Sequence, residues 1–357
     1  MCSSTGGIRL GRCVARSPRR ADGYAYPYTS CRTVGGVGKT WGVSSVVRVW
    51  RAGRVVDPHS VIGGLRKGPG DPAYVFDAGR RTVWRATRTP DGAVLLRLTP
   101  YAGFVEAEAW GPGAEWALDG VPELLGERDS WDGFEPLPEH RVLVDAARRF
   151  PHVRVPRTRA VFEAMAAAGI EQVVTGKEAF RAWRLLLREY GEPAPGPHQQ
   201  GNRVMMVPPS PEEWRQIPSW QWLRAGVEGR RSRVVVTAAT RARALERTLE
   251  LTDGAEVERR LRSLPGVGVW TAAEVRQRAH GDADAFSFAD YHVSRNVSYA
   301  LIGEELDDDG CAELIEPYRG HRFRVQRLIE LAGVGHPRFG PRKSLPTHTP
   351  GATHRLR

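Results

Sequence analysis

The stretch Leu264-Pro265-Gly266-Val267-Gly268-Val269-Trp270-Thr271-Ala272-Ala273 constrains this chain more than any other. It follows a short amphipathic run, Glu256 to Arg262, and precedes a second helical run, so it reads as two helices joined by a tight turn. Gly266 and Gly268 remove the Cβ atoms that would obstruct such a turn. Backbone N–H groups then point outward at the start of the second helix. That end carries partial positive charge, so a phosphate can dock there without a lysine. Pro-Gly turns also join helices that merely pack together, and the turn alone does not separate the two readings.

The charge distribution gives the turn its weight. The chain carries a net +11 and a pI near 9.9, which suggests an acidic partner. The excess sits at the ends: residues 1–70 carry +10, residues 337–357 carry +5, and residues 71–336 are left with −4. Arginine outnumbers lysine 48 to 4, which fits a G+C-rich coding sequence better than selection for phosphate-binding forks. A nucleic-acid partner must therefore be argued from motifs. No apolar run approaches the ~18 residues of a membrane span. Met1 to Arg20 has no apolar core of a secretory signal. Cys2, Cys13, Cys31 and Cys311 lack metal-ligand spacing, so a disulfide scaffold or zinc module is not expected, and a reducing cytoplasm suits them.

Residues 1–70 show no sustained period and read as a basic, disordered extension. An overextended start, with translation beginning near Val55–Val75, is the alternative. Gly35-Gly36-Val37-Gly38-Lys39-Thr40 imitates part of a phosphate-binding loop, but no buried strand precedes it. From Thr82 the period becomes two. Thr82–Arg88, Ala93–Leu98 and Phe104–Trp110 read as strands of a small antiparallel α+β domain, residues 71–136, with a Thr89-Pro90-Asp91-Gly92 turn and a helix after Gly113. An all-helical domain, residues 137–340, follows, so the fold class is mainly α. Its helices are expected over Val142 to Phe150, Ala160 to Ala168, Glu178 to Tyr190, Arg231 to Thr248 and Arg319 to Leu331. Ser210-Pro211-Glu212-Glu213 is a capping box. Glu192 to Val207 reads as a loop, and residues 341–357 as a basic disordered tail.

Downstream of the turn lies Phe286-Ser287-Phe288-Ala289-Asp290-Tyr291-His292-Val293. Asp290 precedes an apolar-periodic run and in isolation reads as a helix cap. Its spacing after the turn changes that. The run from Leu264 to Val293 resembles the helix-hairpin-helix-GPD DNA glycosylases, and is most similar to their alkylation-repair branch, 3-methyladenine DNA glycosylase II. That branch carries Gly-hydrophobic-Gly-x-Trp-Thr-Ala and then Asp-Tyr. This chain has Gly266-Val267-Gly268-Val269-Trp270-Thr271-Ala272 and Asp290-Tyr291. A looser resemblance extends over about Arg141 to Phe339, and the first 70 residues have no counterpart.

The resemblance implies roles. Asp290 falls at the catalytic carboxylate. Trp270 falls beside the base pocket, where lyase-competent branches hold a lysine. Leu264, Pro265, Gly266, Val267, Gly268 and Thr271 would form the phosphate-binding hairpin. Gln172-Val173-Val174-Thr175 matches the element inserted into the duplex, with Val173 as wedge beside Gln172. Pro317-Tyr318-Arg319 would place Tyr318 on the extruded base, with Glu274 and Tyr291 completing the pocket. Glu274 stands where the bacterial prototype has an aromatic residue, Tyr318 replaces a tryptophan, and Val173 is a small wedge.

These residue types suit the implied chemistry. Flipping a base out of the stack costs a few kcal/mol, least for damaged pairs. An apolar side chain fills the gap, and aromatic faces hold a cationic alkylated purine. Cleaving the N-glycosidic bond develops positive charge on the sugar, which one carboxylate can stabilise. The expectation is a monofunctional, cofactor-free and metal-free N-glycosylase excising alkylated purines. It would act as a monomer on damaged double-stranded DNA in a bacterial-type cytoplasm, associated with the nucleoid and with no membrane partner.

Two rivals remain: a non-catalytic helix-hairpin-helix DNA-binding protein, and an RNA- or nucleotide-binding protein using the basic ends. Asp290 favours the enzyme. Trp183, Trp214, Trp220 and Trp222 read as packing residues, Asp307-Asp308-Asp309 as a loop and cap, and His280 and His292 as structural. Arg319, Arg322, Arg324 and Arg327 suit either phosphate binding or pairing with Glu316 and Glu330.

Overall fold

Strict alternation from Thr82 onward produces strands, as expected, but the sheet they form starts earlier in the chain. The computed structural model describes residues 31–34, 44–197, 199–200 and 203–336. Its strands are β1 (Cys31–Val34), β2 (Ser45–Trp50), β3 (Tyr74–Asp77), β4 (Thr82–Thr89), β5 (Gly92–Tyr101) and β6 (Phe104–Trp110). They form one antiparallel sheet in the order β1-β2-β6-β5-β4-β3. Pro90 and Asp91 form the turn between β4 and β5, and Gly92 takes φ +126°. Along β5, Val94, Leu96 and Leu98 face one core, with α1 (Pro58–Ile62), α2 (Ala114–Asp119) and α3 (Val121–Leu124). Leu95 faces the other side.

That other side corrects the reading of Glu192 to Val207 as a plain loop. The segment carries the two-residue strands β7 (Glu192–Pro193), β8 (Gln199–Gln200), β9 (Arg203–Val204) and β10 (Met206–Val207). Ala194, Met205 and Val207 bury against Leu95 and Trp110. A sheet with two apolar faces needs a cover on each, and this short segment supplies one of them.

The boundary at residue 70 is also corrected. Trp50 is 1% exposed, Ile62 is fully buried, and both sit in the core under the sheet. β2 pairs with β6, nearly 60 residues later, so long-range pairing rather than local period holds it. Lys67 is buried and ion-paired with Glu171 at 2.6 Å. Residues 44–70 are therefore part of the fold. Residues 1–30 and 35–43, including the Gly35–Thr40 imitation of a phosphate loop, and the expected tail at 341–357 lie outside the described residues.

The helical part divides into two separately packed lobes. One is built around α5 (Val161–Glu171), nine of whose eleven residues are buried, which marks a helix surrounded on most sides. Around it lie α6 (Gly176–Tyr190), α7 (Pro211–Gln216), α8 (Ser219–Ala225), α9 (Gly229–Thr240), α10 (Ala242–Glu246), α11 (Gly254–Arg262) and α12 (Val269–Val275). The helix expected over Arg231 to Thr248 breaks at Arg241, and α12 runs on through a π turn, Arg276–His280. The second lobe packs α4 (Arg141–Arg149), α13 (Val293–Ile302), α14 (Asp308–Leu314) and α15 (Arg322–Ala332) around Leu143, Val297 and Leu328. Trp183, Trp214 and Trp222 are core residues, as expected, whereas Trp220 is exposed. Among the described residues no helix is long and apolar enough to cross a membrane.

Because Trp50 fills the core beneath the sheet, Trp50→Ala is expected to lower the unfolding free energy by about 3–5 kcal/mol in urea titration. A loss below ~1 kcal/mol would show that the segment before residue 70 does not support the sheet.

Candidate functional site

The hairpin forms where the Pro-Gly-hydrophobic-Gly pattern places it. Asp253 caps α11 through the Ala255 N–H, and the chain turns at Leu264–Gly268 before entering α12. Gly266 sits at φ +84°, and a Cβ there would lie 2.7 Å from Val234 Cγ2, so both conformation and space require glycine. Gly268 begins α12 with no side-chain cap and nothing within 4 Å of its Cβ position. The first N–H groups of that helix are thus approachable by an anion.

Gln172 and Val173 stand beside this hairpin. Gln172 Nε2 donates to Gly266 O and to Thr271 Oγ1, each at 2.9 Å. Gln172 is therefore a brace for the turn, and Val173 alone projects, 93% exposed. Val173 holds φ +54°, a strained conformation for a β-branched residue that costs about 1–3 kcal/mol. Its neighbours hold it there: Gln172 by the two bonds above, and Thr175 by a capping box with Glu178 at the start of α6.

Asp290 lies at the junction of the two lobes, just before α13. Its Oδ1 accepts from the His292 and Val293 N–H groups at 2.8 and 3.2 Å, the helix-cap role read from sequence. Its Oδ2 accepts from Trp270 Nε1 at 3.1 Å. One oxygen thus anchors the helix while the other faces the tryptophan. Both residues line a cavity of about 260 Å³, which also takes Glu274 and Gln277 from α12 and its π turn, and Gln326 and Glu330 from α15.

The cavity is more polar than the sequence reading anticipates. Ser287, fully buried, donates to Glu274 Oε1 at 2.9 Å and accepts from Gln277 Nε2 at 2.8 Å. Gln326 accepts from the Ser287 N–H and donates to Glu330 at 3.0 Å. Glu274 also pairs with Arg278 at 2.6 Å. Ser287, Gln277 and Gln326 were not read from sequence. The available signal was a glutamine and a glutamate four apart in α15, too common on helices to stand out.

Two expected pocket residues are elsewhere. Tyr318 is buried in the second lobe, where its hydroxyl meets His140 Nδ1 at 2.6 Å and accepts from the Leu137 N–H. It is a packing residue and has no face free to stack on a base. Tyr291 is 73% exposed beneath the Arg295 guanidinium, outside the cavity wall. Trp270 and Glu274 line the cavity.

His280 and the Asp307–Asp309 run are structural, as read, and the four arginines left open between phosphate binding and ion pairing are paired with carboxylates. Burial holds His280 down at about 4, so it is neutral near pH 7, and its Nε2 meets Thr248 Oγ1. Asp307 caps α14, and Asp308 bonds Ser294 and the Ala289 N–H. Arg319 pairs with Glu316 and Arg327 with Glu330, while Arg322 pairs with Asp284. Arg324, 1% exposed, forks onto buried Asp129 and is closed to phosphate.

No family model matches the chain. It is 31% identical over 176 residues to the probable bifunctional transcriptional activator/DNA repair enzyme AlkA of Mycobacterium tuberculosis, a match over 48% of this chain and 32% of that protein. The matched part is thus about a third of the length of that curated relative. Among solved structures, it is similar to the 3-methyladenine DNA glycosylase from Archaeoglobus fulgidus, with a TM-score of 0.64 and 20% identity over 80% of this chain and 98% of that one. A structure of MBOgg1 in complex with a low affinity DNA ligand gives 0.63 at 15% identity, covering 87% and 98%. The 8-oxoguanine glycosylase/lyase of Clostridium acetobutylicum, in complex with double-stranded DNA, gives 0.60 at 11%, covering 85% and 96%. The chain has the helix-hairpin-helix-GPD DNA glycosylase fold, with sequence similarity to the alkylation-repair branch.

Proposed function

We propose that the chain is a monofunctional DNA N-glycosylase that excises alkylated purines from duplex DNA in base-excision repair, working as a monomer. The observation that carries this reading is the Trp270–Asp290 pair on the wall of a cavity beside the hairpin. The N–H groups at Gly268 and the start of α12 would hold a backbone phosphate. Val173 would enter the duplex where the lesion leaves it, and Trp270 would meet the extruded base.

The chemistry then needs little more than a placed carboxylate. As the bond from C1′ to the base nitrogen breaks, its electron pair leaves with the base, and an alkylated cationic purine departs neutral. Positive charge remains on the sugar ring, where the Asp290 carboxylate stabilises it. A water molecule attacks C1′ and loses a proton to Asp290 and then to solvent, leaving an intact abasic strand.

Asp290→Asn keeps an oxygen for the His292 and Val293 N–H groups but removes the charge. Release of base from single-lesion duplexes is expected to fall about 10²–10³-fold, with the chain still folded and only a small drop in melting temperature from the lost acceptor for Trp270 Nε1. Near-normal release would return Asp290 to a purely capping role.

A lyase would need an amine at C1′. The indole of Trp270 has only a donor N–H. Of the described lysines, Lys67 is buried in its pair with Glu171, and Lys177 is exposed at the start of α6. Borohydride added during turnover should trap no protein–DNA adduct, and strand nicking should require alkali. An adduct abolished by mutating Lys67 or Lys177 would overturn the hydrolytic mechanism.

Tyr318→Phe tests the packing role of that residue. It leaves His140 and the Leu137 N–H without their partner, so stability should fall by about 1–3 kcal/mol while base release persists. Loss of excision without loss of stability would restore Tyr318 to the base pocket.

A further inference from the structure

The sheet domain also supplies part of the cavity wall. Val61, at the end of α1, and Gly64 and Leu65, in the 3-10 turn that follows, line the same space as Trp270 and Asp290. The two adjacent glycines of that turn differ in surroundings. A Cβ on Gly63 would meet the His59 ring at 3.4 Å, whereas one on Gly64 would meet no heavy atom within 4 Å. Gly64 is not among the positive-φ glycines, so its backbone does not demand glycine either. Neither conformation nor protein packing accounts for the missing side chain. Gly64 is itself exposed and lines the cavity, so it stands at the cavity's open rim.

We propose that Gly64 is a specificity-determining position: its absent side chain leaves room for a purine enlarged by a bulky substituent or an extra fused ring. Any side chain at this position narrows the pocket to smaller bases. The inference rests on the cavity being a base pocket, and it adds a size rule to that reading. It also gives the sheet domain a direct part in selecting the base.

A graded series in the full chain, Gly64→Ala, Gly64→Val and Gly64→Leu, tests the rule. Calorimetric binding of two free bases, 3-methyladenine and the larger 1,N6-ethenoadenine, provides the readout. The wild-type protein is expected to bind both. Affinity for ethenoadenine should decline with side-chain size and be weaker by about tenfold or more at leucine, while that for 3-methyladenine changes much less. Melting temperatures should be retained or slightly raised, because glycine is replaced where its conformation is not needed. Should the leucine variant misfold, the alanine and valine variants carry the comparison.

Equal losses for the two bases, no change across the series, or a wild-type protein that binds neither base would overturn the size rule. A wild-type protein that binds both bases yet releases none from damaged duplexes would instead overturn the glycosylase reading and leave the size rule standing.

Discussion

The side chain of Ser287 ties together the parts that make the site. Its hydroxyl gives a hydrogen bond to Glu274 and takes one from Gln277, so α12 and its π turn are fixed to the chain just before Asp290. Its N–H reaches Gln326 on α15, which brings in the second lobe. All four side chains are buried, and an unpaired polar group there costs about 1–3 kcal/mol. The network is thus satisfied only when both lobes are in register, and in that register Asp290 meets Trp270. Ala289, immediately before Asp290, holds φ +63°, so the loop is kept in a conformation it would not choose alone.

The arginines follow a related logic. The sequence holds 48 of them, yet many described ones are structural. Arg324 forks onto Asp129, Arg276 joins Glu258 to Asp282, and Arg157 reaches Glu123. A chain whose central part is net negative spends much of its positive charge on its own carboxylates. Backbone N–H groups at a helix start do not compete for those carboxylates in the same way, which makes the hairpin a suitable place for a phosphate.

The parts of the site legible in the sequence are those set by short-range chemistry. Gly266 and Gly268 announced a turn, at the first of which only glycine fits, and Asp290 stood out by its spacing from that turn. The parts that escaped depend on distant partners. Trp50 and Ile62 lie in pieces too short to show a period, and they are ordered by a sheet whose central strands come later. Tyr318 matched a motif position, but its hydroxyl found His140 in the second lobe, a contact no local pattern could reveal. Gln172 was read with the wedge, and its amide turned to the hairpin for a similar reason.

The π turn at Arg276–His280 has a consequence for how the cavity can change. Such a turn holds one residue more than a regular helix would over the same rise. Because each residue advances an α-helix by about 100°, the extra one re-phases everything after it. Glu274 precedes the turn, while Gln277 and Arg278 lie within it, and all three line the cavity. Arg276, between them, faces away to Glu258 and Asp282. A one-residue deletion here would rotate one part of the wall against the other. Selectivity in this scaffold can therefore be retuned by phase as well as by side-chain identity.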